Sequence, residues 1–314
     1  MMEQYYRDFG SWLREEFPFK VQKISIDAGF TCPNRDGSIG RGGCIYCDNR
    51  TFNPSYCSDD KNSVTRQLEE GKRFFSGKYP DMKYLAYFQA YTNTYGSVQH
   101  LMKLYDEALQ VENVVGLVIG TRPDCVSDEL LDYFTQLNKR TFLLVEYGVE
   151  SCNDKTLALI NRGHDFACSR RMIERTAERG IRTGAHIILG LPGEDRIESI
   201  RQAPIISSLP LTTLKIHQMQ IIRGTKLAKM YNENPFHLYT VDEYIELIAD
   251  YIALLRKDLV LERFVSQSPA ELLIAPKWGL KNYEFTNRLH NYLETSAKPP
   301  FIEKNLAYMT KISI

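Results

Sequence analysis

Apolar and polar positions along this chain alternate between two rhythms. The segment Val21-Gln22-Lys23-Ile24-Ser25-Ile26 has the two-residue period of a strand and runs into Asp27-Ala28-Gly29. Apolar runs at 84–89, 114–119, 142–147, 182–189 and 213–219 predict five more strands. Helical periodicity fills the intervals, at 62–78, 96–110, 127–138, 153–161, 167–179 and 195–207. Strands alternating with helices imply a parallel sheet with helices outside it. The strands are almost continuously apolar, as strands covered on both faces should be. The pattern fits a barrel, open or closed, as well as a doubly wound sheet. Either way the ligand site lies at the C-terminal ends of the strands. The loops at 29–57, 89–96, 120–125, 148–152, 190–194 and 217–225 all follow strands and are expected on one face.

The chain changes character after residue 235. A long amphipathic helix is predicted at 241–258, with Val241, Tyr244, Ile245, Ile248, Tyr251, Ile252 and Leu255 in its apolar stripe. A short strand at 261–265 and a helix at 282–294 follow. We therefore expect a core of residues 1–235 and a C-terminal α/β extension, 236–314, packed on it.

Composition excludes several classes. The 314 residues carry 39 basic and 39 acidic side chains, so the formal net charge is zero. With 43% hydrophobic and 25% charged residues, the chain has the composition of a globular protein rather than a disordered one. No apolar run is long enough to span a membrane. The first residues have no apolar stretch of the secretory kind, so a cytoplasmic location is expected. Neutrality argues against a non-specific nucleic-acid binder but leaves room for a local basic patch.

The cysteines change the picture. Seven of them stand at 32, 44, 47, 57, 125, 152 and 168, the first four in the 29–57 loop, which is rich in Gly, Asn, Asp, Ser and Pro. An odd number of cysteines in a cytoplasmic chain favours metal binding or chemistry over disulfides. Eleven residues separate Cys32 from Cys44, and two separate Cys44 from Cys47. Three thiolates on one loop can hold three irons of a [4Fe–4S] cluster and leave the fourth iron open. Clusters that only transfer electrons are normally held by four cysteines. Two alternatives stand beside this: a tetrahedral zinc site of Cys32, Cys44, Cys47 and Cys57 in a non-catalytic module, and a pure electron-transfer protein.

The stretch from Ile24 through Cys32-Pro33-Asn34-Arg35-Asp36-Gly37, with Gly42-Gly43-Cys44-Ile45-Tyr46-Cys47, resembles the radical S-adenosylmethionine (SAM) superfamily. More narrowly it is similar to the YhcC-like family, related to the Elongator catalytic subunit and to oxygen-independent coproporphyrinogen oxidase. The resemblance implies a partial (β/α)6 TIM-like barrel, a cluster bound through a CX11CX2C motif, and reductive cleavage of SAM to a 5′-deoxyadenosyl radical. An external donor of the flavodoxin or ferredoxin kind would supply the electron. It also implies where SAM sits. Tyr46 is the aromatic before the last cysteine. Gln89 and Ala90 stand where the family has a Gly-Gly-Glu-like turn, without its glycines. In Glu146-Tyr147-Gly148-Val149-Glu150-Ser151, Glu150 would meet the ribose hydroxyls, and Arg162 would meet the methionine carboxylate. Leu189, before Gly190-Leu191-Pro192-Gly193, would contact adenine. The turn Thr121-Arg122-Pro123-Asp124 also resembles the Elongator-like branch, and Asp124 or Ser127 can cap the helix after it.

The substrate is less legible. The Elongator-like branch implies a nucleic acid such as tRNA; a small metabolite is the alternative. His186 and His217, on the fifth and sixth strands, are candidates for substrate contact, and for satisfied core histidines. Lys277 and Trp278 combine positive charge with aromatic surface, as a single-stranded RNA contact does. Cys125, Cys152 and Cys168 are expected to be structural.

Overall fold

A computed structural model describes residues 5–52, 63–77 and 81–296. Cys57 lies outside them. In chain order the described elements are β1 (Arg7–Asp8), α1 (Phe9–Glu16), β2 (Val21–Ile26), α2 (Pro33–Asp36), α3 (Val64–Ser76), β3 (Lys83–Phe88), α4 (Val98–Gln110) and β4 (Val114–Thr121). Next come α5 (Asp128–Asn138), β5 (Phe142–Glu150), α6 (Asp154–Leu159), α7 (Phe166–Ala177), β6 (Arg182–Leu189), α8 (Arg196–Ser207) and β7 (Thr213–Gln218). The remainder is β8 (Ile221–Ile222), α9 (Lys226–Glu233), α10 (Val241–Ala253), β9 (Val260–Arg263), β10 (Leu273–Ala275) and α11 (Asn282–Ser296).

The fold is α/β, a partial TIM-like barrel. Strands β2 to β7 lie side by side in chain order, all parallel, with helices between them. The sheet has eight strands rather than the expected six, because β9 pairs with β7 and β1 pairs with β9, both parallel. The C-terminal stretch thus contributes a strand to the sheet itself. Side-chain caps start the helices as their sequences suggest. Ser127 accepts from the Leu130 N–H, Asp195 from Glu198, and Thr240 with Glu243 forms a reciprocal capping box. Helix α10 stops at Ala253, short of the expected 258. Beyond it the Arg256 guanidinium donates to the carbonyls of Ser207, Leu209 and Leu211, tying the chain to the end of α8.

Three tiers follow one another up the inside of the curled sheet. The lowest is apolar: α1 seats Trp12 and Leu13 against Leu85, Tyr87, Val118, Phe142, Leu144 and Val260. The middle tier is ionic. Glu146, 1% exposed, accepts from Lys23 at 3.0 Å, Lys215 at 2.9 Å, the Tyr87 hydroxyl at 2.8 Å and His186 Nε2 at 2.7 Å. Glu262 pairs with the same two lysines, at 2.7 and 3.0 Å. Lys23 belongs to β2, one edge of the sheet, and Glu262 to β9 near the other edge. The two margins are therefore joined across the interior by an ion pair. The top tier opens to the loops that follow the strands.

Candidate functional site

Residues from five of the six strand-following loops line one cavity at this upper end. Cys32, Cys44, Tyr46 and Cys47 come from the cysteine loop, Gln89 and Tyr91 follow β3, Gly120 to Arg122 end β4, and Gly148 and Glu150 end β5. Arg162, His186, Ile188, His217, Gln218, Arg263 and Ser266 complete the wall. The 190–194 loop sits elsewhere: it lines a separate hollow with Phe236, His237 and Tyr239.

The cysteine loop is pinned to the barrel through its backbone. The Ile45 N–H donates to the Ile160 carbonyl at 3.0 Å, and Leu227, at the start of α9, donates to the Ile45 carbonyl at 2.9 Å. The Asn161 side chain donates to the Gly43 carbonyl at 2.8 Å, while Asn34 donates back to the Asn161 carbonyl at 2.5 Å. Three thiols, all free, thus face one cavity. Burial first, then the neighbouring Cys44 sulfur, pushes the Cys47 thiol up to about 11. Holding a thiolate there calls for nearby positive charge. Arg35, which donates to the Cys47 carbonyl at 2.5 Å, supplies part of it. Among the described residues no three His, Cys, Asp or Glu side chains converge on a single point suited to one metal ion. Thiolates that each bind a different iron need no such convergence.

Arg162 is the hub of the cavity wall. Its Nη1 donates toward Cys44 Sγ at 3.6 Å, its Nη2 donates to the Gly148 carbonyl at 2.6 Å, and Glu150 lies 3.5 Å away. The buried Nε has no hydrogen-bond partner. A Cβ added at Gly148 would stand 2.5 Å from Glu150 Oε1 and 2.6 Å from Arg162 Nη2, so a side chain there would displace the tips of both residues. Glu150 enters the cavity through an extra residue in β5: Gly148 pairs with His186 but Glu150 with Ile187, and Glu150 has φ +69°. Arg122 holds the loop carrying Arg162, donating to the Arg162 carbonyl at 2.8 Å while paired with Asp124 at 2.7 Å. Asp124 is therefore this arginine's partner, and Ser127 caps the next helix.

The other expected residues are distributed as follows. Tyr46 and Gln89 reach the cavity, and Gln89 accepts from Ser25 Oγ at 3.1 Å. Ala90 is buried beside it, outside the lining. The Leu189 side chain belongs to the main core, and its carbonyl accepts from Met219; Ile188 faces the cavity instead. His186 and His217 both line it, rings 5.9 Å apart. Burial holds both imidazoles below their ordinary pKa, with Lys215 acting second on His186 and Arg263 second on His217. Lys277 and Trp278 line a neighbouring hollow that shares Gln218, Gln220, Ser266 and Ser268 with the main cavity. The Trp278 ring stacks on Phe285 and donates its N–H to the Tyr239 carbonyl at 3.1 Å.

Sequence reasoning passed over Arg35, Arg122, Glu146, Lys23, Lys215 and Arg263. Glu146 and Lys215, charged residues inside otherwise buried strands, are the available signal; Lys23 sits in the half-buried β2.

A second groove runs along the outer side of the cysteine loop. It is lined by Arg35, Arg41, Arg50 and Lys226 together with Cys44, Cys47, Tyr91 and Leu159; among the described residues Asp48 is its sole acidic side chain, and it pairs with Arg50 at 2.5 Å. Tyr91 and Leu159 are exposed.

An α/β half-barrel with three thiols at the mouth defines a class that comparison with known proteins makes explicit. Residues 34–201 match the Radical SAM superfamily and residues 211–295 the Radical SAM C-terminal domain. Protein YhcC of Escherichia coli strain K12 is 34% identical over 286 residues, covering 91% of each chain. A tRNA uridine(34) acetyltransferase of Methanocaldococcus infernus is 26% identical over 183 residues, 57% of this chain and 33% of that one. The archaeal Methanocaldococcus infernus Elp3 structure superposes with a TM-score of 0.65 at 18% identity, over 89% of this chain and 64% of that one. The chain belongs to the radical SAM superfamily, in its YhcC-like branch. It is an enzyme whose cofactors are a [4Fe–4S] cluster and SAM, and its chemistry requires an external electron donor. Membership sets aside the non-catalytic zinc module and the pure electron carrier. No described helix is long and apolar enough to cross a membrane.

Proposed function

We propose that Cys32, Cys44 and Cys47 hold the [4Fe–4S] cluster in a CX11CX2C motif, and that the enzyme modifies a structured RNA of the tRNA kind in the cytoplasm. The donor set fits the cofactors. Three soft thiols share one cavity with a buried guanidinium whose Nε is unspent and a glycine whose missing Cβ leaves room. When bound, cluster and SAM together supply one-electron cleavage of the sulfonium and abstraction of a hydrogen atom from substrate.

The chain's own side chains bind, orient and exclude water. Arg162 offers its fork to the methionine carboxylate, and Glu150 accepts from the ribose diol. Tyr46, Gln89, Ala90 and the strand end at Leu189 shape the space around SAM. His186 and His217, neutral at physiological pH, face the substrate side. An acidic donor of the flavodoxin or ferredoxin kind delivers the electron to the cysteine loop. Residues 1–235 carry this machinery, and 236–314 act as the extension that completes it.

The observation that carries the RNA reading is the cationic groove of Arg35, Arg41, Arg50 and Lys226 beside the cysteine loop of a protein with zero net charge. It supplies the local patch that phosphate binding needs, and exposed Tyr91 adds a stacking face. Lys277 and Trp278, beyond Gln218, would extend that surface. The relative that is a tRNA uridine(34) acetyltransferase supports the same reading. The test has two parts. Anaerobic reconstitution with dithionite and SAM should yield 5′-deoxyadenosine. Mass mapping of nucleosides from the tRNA of a deletion strain should show one modification missing or one precursor accumulating; unaltered nucleosides would redirect the search to small metabolites.

A further inference from the structure

The middle tier of the barrel contains one cation more than its carboxylates can serve. Lys23 and Lys215 use both carboxylates of the tier. Each lysine bonds one oxygen of Glu146 and one of Glu262, at 2.7 to 3.0 Å. The third donor of Lys215 goes to the Tyr87 hydroxyl at 3.0 Å, and Tyr87 and His186 fill Glu146 Oε2. Higher in the cavity, Glu150 lies beside Arg162. Two lysines balance two glutamates, and one arginine balances the remaining glutamate.

Arg263 stands outside this accounting. It lines the cavity, its Nε is buried with no hydrogen-bond partner, and its Nη2 makes a long 3.4 Å approach to His217 Nε2. Its position is specified by the backbone. Thr213 pairs with Val260 and Leu214 with Leu261, but Lys215 pairs with Arg263, so Glu262 is an extra residue in β9. A strand normally sends neighbouring side chains to opposite faces; here the bulge lets both Glu262 and Arg263 serve the interior. Bulges are enriched next to active sites, where they re-aim a side chain. A buried guanidinium N–H without an acceptor, as at Arg263 Nε, is costly, and the cost is recovered when a ligand brings one. His217 and Lys215 both lie close enough to Arg263 for its charge to oppose their protonation.

We propose that Arg263, with His217 beside it, is a recognition site for an oxyanion on the substrate, a carboxylate or a phosphate, held at the inner end of the cavity. This rests on the radical SAM reading of the cavity but concerns the substrate rather than SAM, and adds Arg263 to the substrate side. Arg263 is a specificity residue: its fork matches the planar oxygens of such a group, and among the described residues no carboxylate pairs with it.

Fluorine NMR tests this, with trifluoroacetate as the carboxylate probe and monofluorophosphate as the phosphate probe, on the cluster-reconstituted protein with SAM. Line broadening of either probe, reversed by unlabelled acetate or phosphate respectively, is expected, and the probe that binds names the group. Arg263→Gln should weaken that binding by about tenfold or more, the order expected for a charge-assisted pair. Arg263→Lys should restore part of it. Far-ultraviolet circular dichroism and the cluster absorbance check that both variants are folded and loaded. If neither probe binds the wild-type protein, or Arg263→Gln binds as the wild type does, the inference is wrong. Formation of 5′-deoxyadenosine by the wild type, measured separately, reports on the radical SAM reading alone.

Discussion

Arg162 Nη1 lies 3.6 Å from the sulfur of Cys44, a residue 118 positions earlier in the chain. The same guanidinium donates to the Gly148 carbonyl, so it links the cysteine loop to the end of β5. Replacing it removes a fixed fork from the wall of the SAM cavity. Arg162→Ala should raise the Kd for SAM by about tenfold or more, the scale of one charge-assisted pair. Arg162→Lys should recover only part, since an ammonium cannot span the same acceptors. Equilibrium dialysis with labelled SAM measures both.

The cysteines divide by their surroundings. Cys44→Ala and Cys47→Ala are expected to lose most bound iron and sulfide after anaerobic reconstitution. Cys125→Ala should retain both. Cys125 does not line the cavity that Cys32, Cys44 and Cys47 share. Cys57→Ala should also retain the cluster. Iron content equal to wild type in Cys44→Ala, or absent in Cys57→Ala, would require a different ligand set.

Glu146 holds the ionic tier together. Glu146→Gln keeps its volume but leaves Lys23 and Lys215 facing each other with Glu262 alone. Breaking a buried pair in this way typically costs about 3–5 kcal/mol. The midpoint of urea unfolding should fall accordingly. A change below about 1 kcal/mol would mean that water replaces the carboxylate without penalty.

The two half-buried cavity histidines predict a sign for the pH dependence of stability. Burial, with Lys215 on His186 and Arg263 on His217, lowers the pKa of both imidazoles in the folded protein. In the unfolded chain they take up protons near pH 6.5. Their stabilising contribution is therefore complete above that pH and is lost as pH falls below it. Each neutral imidazole steepens the decline by up to about 1.4 kcal/mol per pH unit. Urea titrations between pH 7.5 and 5 should show this slope, and His217→Gln should reduce it. A slope unchanged in that variant would assign the effect to other groups.

How much of this was legible in the sequence follows from how local each signal is. Strands β3 to β6 announce themselves by largely apolar runs, and β2 by its two-residue alternation. The pairs Ile221–Ile222 and Leu273–Ala275, which form a small antiparallel sheet, are too short to carry a period. Helix α1 is also missed: its eight residues, FGSWLREE, show a role only once Trp12 meets the barrel floor. The cysteine motif is readable because its chemistry sits on one loop. Arg263 is not, because its inward placement depends on a register shift between β7 and β9, strands 46 residues apart at the His217–Arg263 contact.

The ion pair between Lys23 and Glu262 has a mechanical consequence. In a barrel closed by backbone ladders, parting any two strands breaks a row of hydrogen bonds at once. Here the last interval is spanned by side chains with rotatable stems, anchored on Glu146 in the middle of the sheet. That seam can widen by small steps while every strand keeps its neighbours. Among the described residues, most of the circumference of this reaction chamber is thus joined by peptide backbone, and one line of it by charge.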